Sequence, residues 1–218
     1  MIVQIYEVGS PEAALRLVEL GVDHVGVLVG QGEFPREVGV EPAREIFAAI
    51  GRSAKKIALS LAHDPGKLAA VIEATRPDVL HLGTSPDRLT RAGCGELKAS
   101  FQRLPIMRTI PVVDESSIAV AREYEGIADF LLLDTWRSGD PEIGATGETH
   151  DWALSRMIVD EVAIPVVLAG GLGPENVAEA VRAVGPVGVD SKTHTDGTAG
   201  AGKDMDKVRA FVRGARSV

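Results

Sequence analysis

Short apolar runs alternate with amphipathic stretches from one end of the chain to the other. The runs fall at Ile2–Ile5, His24–Val29, Lys56–Leu61, Asp78–Leu82, Ile106–Ile110, Asp129–Leu133, Pro165–Ala169 and Val187–Val189. Each has strand length and is rich in Val, Ile or Leu, side chains that suit a buried pleated surface. The stretches between them predict helices. Ser10-Pro11-Glu12 supplies a capping hydroxyl, a proline at the first helical position and an early acid. Ala13, Leu17 and Leu20 then recur at helical spacing until Gly21 stops the run. Glu41-Pro42 opens a second helix that Gly51 closes. Asp64-Pro65 opens the third, Ser85-Pro86-Asp87 the fourth and Gly173-Pro174-Glu175 the seventh. Alternating strands and helices imply a parallel sheet. Eight such units predict an α/β chain folded as a (β/α)8 TIM barrel, because closure removes the two unpaired edges of an open sheet. One domain is expected over residues 1–218. An open doubly wound sheet is the structural alternative.

Composition narrows this picture. Hydrophobic residues make up 45% of the 218, but aromatics only 4%, so aliphatic side chains must fill the core. That is the composition of parallel strands buried on both faces. The net charge of −8, from 23 basic and 31 acidic residues, argues against a nucleic-acid surface. It leaves room for a phosphorylated small molecule, since helix N-termini and a single lysine can hold a phosphate on an acidic protein. The one cysteine, Cys94, excludes an internal disulfide and suits the cytoplasm. The N-terminus lacks the basic region and long apolar run of a signal peptide, and no apolar stretch is long enough to span a membrane.

In a barrel of this kind the chemistry sits on the loops that follow the strands. Those loops carry Tyr6 and Glu7, Gly30–Arg36, His63, His81 with Gly83–Ser85, Pro111–Asp114, Asp134–His150, Gly170-Gly171 and Asp190–Gly202. The sixth, DTWRSGDPEIGATGETHDW, is far longer than a simple connection, which points to a lid or binding loop. Asp134 stands at its base, where an apolar strand would strip water from the carboxyl and suit it to act as an acid. Gly170 and Gly171 let the backbone approach an anion. With Asp190, Ser191, Lys192 and Thr193 on the neighbouring loop they form a candidate phosphate site. His63, His81, His150 and His194 show no short metal-ligand spacing, so no metal is expected.

The blocks LLLDT, GATGETHDW, IPVVLAGGLGPENVAEAVRAVGPVGVD and KDMDKVRAFV occur in that order. With SPEAALRLVELGVDHVGVLV, FPREV and IMRTIPV ahead of them, the chain resembles phosphoribosylanthranilate isomerases of tryptophan biosynthesis over nearly its whole length. The resemblance implies the eight-fold barrel, no metal or organic cofactor, and an Amadori rearrangement of a phosphoribosyl amine to a 1-amino-1-deoxyketose phosphate. It implies Asp134 as the acid, Arg36 as the partner of the substrate carboxylate, and Gly170, Gly171 and Asp190 in the phosphate loops. At strand one the family reads close to K-I-C-G-I-T, whereas this chain has Gln4-Ile5-Tyr6-Glu7-Val8-Gly9. Tyr6 therefore stands where the family has its cysteine base. With an ordinary pKa near ~10 a tyrosine is a poor base at neutral pH. Glu7 is the nearest carboxylate, but strand alternation turns it away from the barrel axis unless the chain has already turned. The family's Q-L-H-G after strand four is here His81-Leu82-Gly83-Thr84, which shifts or removes its histidine and leaves His81 as a substrate-binding candidate.

Three functions are open on these residues: the isomerase itself with another base, a diverged relative acting on a different phosphorylated sugar compound, and a non-catalytic barrel that binds a phosphorylated ligand. The expected partner is a phosphorylated small molecule, with no nucleic acid or membrane, and the expected state is monomer or homodimer.

Overall fold

The computed structural model describes residues 1–136, 144, 147–198 and 202–218. Eight parallel strands close on themselves in chain order. They are β1 (Ile2–Ile5), β2 (His24–Leu28), β3 (Lys55–Ser60), β4 (Val79–Leu82), β5 (Ile106–Val112), β6 (Phe130–Thr135), β7 (Val166–Leu168) and β8 (Gly188–Ser191). The helices between and after them are α1 (Pro11–Glu19), α2 (Val40–Ile50), α3 (Pro65–Thr75), α4 (Arg91–Ser100), α5 (Ser116–Glu123), α6 (Trp152–Glu161), α7 (Val177–Val184) and α8 (Met205–Ala215). The predicted runs and the observed strands agree to within a residue or two at each end. The open-sheet alternative is excluded by the pairing of β1 with β8, in which Gln4 lies opposite Asp190.

Local chemistry fixes several helix starts. Ser10 Oγ accepts from Ala13 N–H at 3.1 Å, and Asp64 Oδ1 accepts from Lys67 N–H at 2.8 Å, each just ahead of a proline. Two predicted starts are displaced. Ser85-Pro86-Asp87 forms a turn, in which the Ser85 carbonyl accepts from Arg88 and Leu89, and α4 begins only after Thr90. Pro174–Asn176 likewise forms a turn on the Gly173 carbonyl, and α7 begins at Val177. In both places proline opens a bend one step before the helix.

Strand alternation sorts the side chains. Val3 and Ile5 face the helices in the large aliphatic cluster that also holds Leu17, Ile46, Leu68, Leu133 and Phe211. Tyr6, Ile57, Val79, Met107, Leu132, Val167 and Ala169 pack inside the barrel. Burying each aliphatic side chain contributes roughly 1.5–3 kcal/mol. Gly26 is required here, because a Cβ on it would lie 2.1 Å from the Tyr6 ring. Among the described residues no helix is long and apolar enough to cross a membrane.

Candidate active site

The end of the barrel where the strands finish holds a cavity of about 120 Å³, lined by Glu7, Tyr6, His81, Thr109, Asp134, Gly144, Asp190 and Lys192 among others. Asp134 enters it from β6. Burial lifts its carboxyl from 3.8 to about 7, against the opposing pull of the Thr135 N–H, which donates to it at 2.8 Å. Gly144, the described residue in the middle of the sixth loop, sits against this group. A Cβ there would fall 2.1 Å from Asp134 Oδ2, and φ is +85°. Residues 137–143 and 145–146, on which most of the expected lid falls, lie outside the described residues.

Asp190 reaches the same space from β8. Burial pushes its carboxyl well above the carboxylate range, and the negative charge of Asp134 adds to this. Gln4 Nε2 donates to Asp190 Oδ1 at 3.2 Å, and Gln4 Oε1 is 3.0 Å from His24 Nδ1. A chain of hydrogen-bonded side chains thus crosses β2, β1 and β8 beneath the cavity. Two carboxyls facing one pocket disfavour double ionisation.

Tyr6 and His81 are tied to each other. The Tyr6 hydroxyl lies 2.5 Å from His81 Nδ1, and His81 Nε2 lies 2.6 Å from Thr109 Oγ1. Burial first, and the charge of Asp190 second, raise the phenol well above its usual value. Burial, with the cationic Arg108 nearby, lowers His81 to about 3. The phenol therefore stays protonated and the imidazole neutral. These two residues form a wall of the cavity, with both nitrogens of His81 engaged.

Glu7 behaves differently from what strand alternation predicts. β1 ends at Ile5, and Glu7 has φ +58°, so the chain has turned and the carboxylate faces the cavity. A side chain in that region of backbone space costs roughly 1–2 kcal/mol. Glu7 Oε2 accepts from Arg36 Nη1 at 2.9 Å and lies 3.3 Å from Lys192 Nζ. Arg36, itself at φ +66°, also donates to Asp196 Oδ2 at 2.7 Å. Asp196 further takes Lys203 Nζ at 2.7 Å and lies 3.5 Å from Lys192 Nζ. Burial works to raise Asp196, but its hydrogen bonds from Lys203 and Arg36 hold it below its ordinary value. Loops one, two and eight are thus joined at the barrel mouth by three cations and two carboxylates.

A smaller polar pocket adjoins the cavity, lined by Gly147, Gly170, Gly171, Leu172, Ser191, Lys192, Thr193 and His194 together with Asp134 and Asp190. Gly170 and Gly171 have φ +78° and +60°. A Cβ on Gly171 would lie 2.5 Å from the Glu148 backbone, so glycine is needed for the sixth and seventh loops to touch. Asn176 fixes the turn: its Oδ1 accepts from Gly173 N–H at 2.8 Å and its Nδ2 donates to the Gly171 carbonyl at 3.0 Å. Ser191 Oγ donates to the Leu172 carbonyl at 2.7 Å, so its hydroxyl is occupied within the protein. His194 Nε2 lies 2.9 Å from the Gly147 carbonyl. Among the described residues no group of three or more His, Cys, Asp or Glu is arranged to hold a metal. His81 lines the cavity and His194 the adjoining pocket.

The predicted residues Asp134, Tyr6, Glu7, His81, Asp190 and Lys192 are therefore brought to one cavity, with Gly170, Gly171, Ser191 and Thr193 in the pocket beside it. Arg36 stands at the rim. Sequence reasoning missed Gln4, His24, Asp196 and Lys203 as site residues. Asp196 lies within the flagged loop after β8, but nothing in its spacing singles it out.

A closed eight-stranded barrel with a buried acid and a glycine-lined polar pocket at its strand ends belongs to the class of barrels that work on small anionic substrates. The family described as N-(5'phosphoribosyl)anthranilate (PRA) isomerase matches residues 95–214. An N-(5'-phosphoribosyl)anthranilate isomerase from Methanocella arvoryzae is 34% identical over 209 residues, covering 95% of this chain and 94% of the relative. One from Haloferax volcanii is 37% identical over 203 residues, covering 90% and 85%. The crystal structure of phosphoribosyl anthranilate isomerase from Thermotoga maritima superposes with a TM-score of 0.83 at 27% identity, covering 100% of both chains. The chain belongs to the N-(5'-phosphoribosyl)anthranilate isomerase family.

Proposed function

We propose that the protein catalyses the Amadori rearrangement of N-(5'-phosphoribosyl)anthranilate, with Asp134 as general acid and Glu7 as general base. The observation that carries this is a carboxyl poised near neutrality, Asp134 at about 7, in the same cavity as a second carboxylate, Glu7. Asp134 gives its proton to the ring oxygen as the C1–O bond breaks, and the nitrogen lone pair forms the C1=N bond. Glu7 then takes the proton from C2, and the C–H electrons form C1=C2 while the nitrogen is neutralised. Return of that proton to C1, and of the C2 hydroxyl proton to Asp134, gives the ketone and restores both groups. The phosphate is held by Gly170, Gly171, the backbone of Ser191, Lys192 and Thr193. Asp190 presents its carboxyl between the acid and that pocket. Arg36 receives the anthranilate carboxylate. Tyr6 and His81 shape the wall, and neither serves as a base. A cytoplasmic setting suits the lone, buried Cys94.

One observation favours a second function. Arg36 already carries two carboxylates, Glu7 and Asp196, which suits a diverged enzyme whose phosphorylated sugar amine lacks the carboxyl group. Purified protein, offered N-(5'-phosphoribosyl)anthranilate and the corresponding aniline compound, distinguishes the two. Turnover of the first, lost in both Asp134→Asn and Glu7→Gln, supports the proposal. Turnover of the aniline compound alone supports the second function, and turnover of neither defeats both.

A further inference from the structure

Lys192 belongs to both parts of the site. Its side chain lines the catalytic cavity and also the glycine-lined pocket proposed for phosphate. In the free protein its ammonium is shared between Glu7 at 3.3 Å and Asp196 at 3.5 Å. Those contacts are longer than the ones Arg36 makes to the same carboxylates, 2.9 and 2.7 Å, or Lys203 to Asp196, 2.7 Å. Lys192 is thus the most loosely held cation of the cluster. Its backbone is anchored, since the Lys192 carbonyl accepts from Lys203 Nζ at 3.0 Å and from Thr195 Oγ1 at 3.0 Å. Movement is left to the side chain.

We propose that Lys192 is a positioning residue that couples phosphate capture to release of Glu7. A phosphoryl group entering the pocket draws the Lys192 ammonium toward itself, because a dianion competes with a carboxylate already shared with Arg36. Glu7 then loses one of its two cations and becomes the stronger proton acceptor. Charged and titratable neighbours set the balance: Arg36 from the β2–α2 connection, the carboxyl of Asp190 from β8, and Asp196 and Lys203 from the segment after it. Only a phosphorylated substrate would free the base fully, so Lys192 would act on specificity through Glu7 as well as by direct attraction. This rests on Glu7 as the base.

The test compares N-(5'-phosphoribosyl)anthranilate with its dephosphorylated form, N-ribosylanthranilate, with and without inorganic phosphate. Wild-type turnover of the dephosphorylated compound should rise with phosphate by up to about fivefold, the range that release of one part-exposed ion pair supports. Lys192→Met should turn that compound over faster than wild type by a similar factor and gain nothing from phosphate, while its KM for the phosphorylated substrate rises. A lysine that only binds phosphate would leave turnover of the dephosphorylated compound unmoved, and a structural lysine would lower both rates. Either result overturns the proposal. Where the dephosphorylated compound is too slow to measure, the isotope-edited carboxylate stretch of Glu7, identified by its absence in Glu7→Gln, decides. Inorganic phosphate must shift it in wild type and not in Lys192→Met, and an unmoved band in wild type overturns the coupling. If Glu7→Gln stays active, the assignment of the base is wrong, and the infrared response still decides the coupling.

Discussion

Replacing Asp134 with asparagine should raise stability while removing activity. Burial lets this carboxyl keep its proton to about pH 7, against 3.8 for an ordinary aspartate. The unfolded chain releases the same proton near pH ~4. Between those values the native state binds one proton more than the unfolded state, so raising the pH destabilises the fold. Stability that is fully present below about pH 4 is lost progressively up to about pH 7 and stays lost above it. At ~1.36 kcal/mol per pH unit, the interval corresponds to roughly 4 kcal/mol. Asp134 keeps some contact with solvent, and screening brings the expected figure to about 2–3 kcal/mol. Asp190 feels the same charge, so its burden falls too, with the same sign. Urea unfolding at about pH 8 should find Asp134→Asn more stable by that amount with the m-value unchanged. At about pH 5 the gap should shrink to half or less. The same variant should lose about 10²–10⁴ in kcat/KM. Equal stability of the two proteins at both pH values would refute the picture of a buried, proton-bearing carboxyl.

Glu7→Gln should lower kcat by about 10²–10⁴, and Glu7→Gly should be as inactive while melting close to wild type, because relief of a positive φ worth roughly 1–2 kcal/mol offsets the lost ion pairs. Tyr6→Phe leaves His81 Nδ1 without its partner and should cost about 1–3 kcal/mol in denaturant unfolding. Its turnover should fall far less than that of Glu7→Gln, whereas an equal loss would make the phenol the base. Gly171→Ala meets the Glu148 backbone at 2.5 Å and should raise KM for the phosphorylated substrate far more than it lowers kcat, as steady-state kinetics would show.

The barrel was legible because each strand is a short aliphatic run and each helix carries an amphipathic face. The displaced starts of α4 and α7 had a local cause: Pro86 and Pro174 sit in turns on the Ser85 and Gly173 carbonyls, and the helix follows only once Thr90 or Asn176 is reached. Asp134 could be found because it ends an apolar strand. The direction of Glu7 could not, since it depends on one backbone angle, φ +58°, that period-two reasoning does not contain. The family's glycine at that position was the available signal, as glycine adopts such an angle without strain. Gln4 and His24 escaped notice because neutral side chains inside a strand look like ordinary core residues. Their role appears only when the register sets Gln4 beside both His24 and Asp190. Arg108 is a cation in a mostly apolar run, but its partners are backbone carbonyls at and just beyond the end of β4, which no spacing in the sequence reveals. It is fully buried behind β5, donating to the Leu82 and Thr84 carbonyls at 2.9 and 2.6 Å, and so supports the loop after β4.

The proposed function requires this barrel to isomerise a phosphoribosyl amine without a cysteine base at strand one. The direct measurement is the fluorescence of N-(5'-phosphoribosyl)anthranilate mixed with the purified protein, with the product's mass determined alongside. Decay of fluorescence at constant mass, abolished in Asp134→Asn and in Glu7→Gln, is the predicted result. Unchanged fluorescence from a folded protein that still binds inorganic phosphate would contradict it.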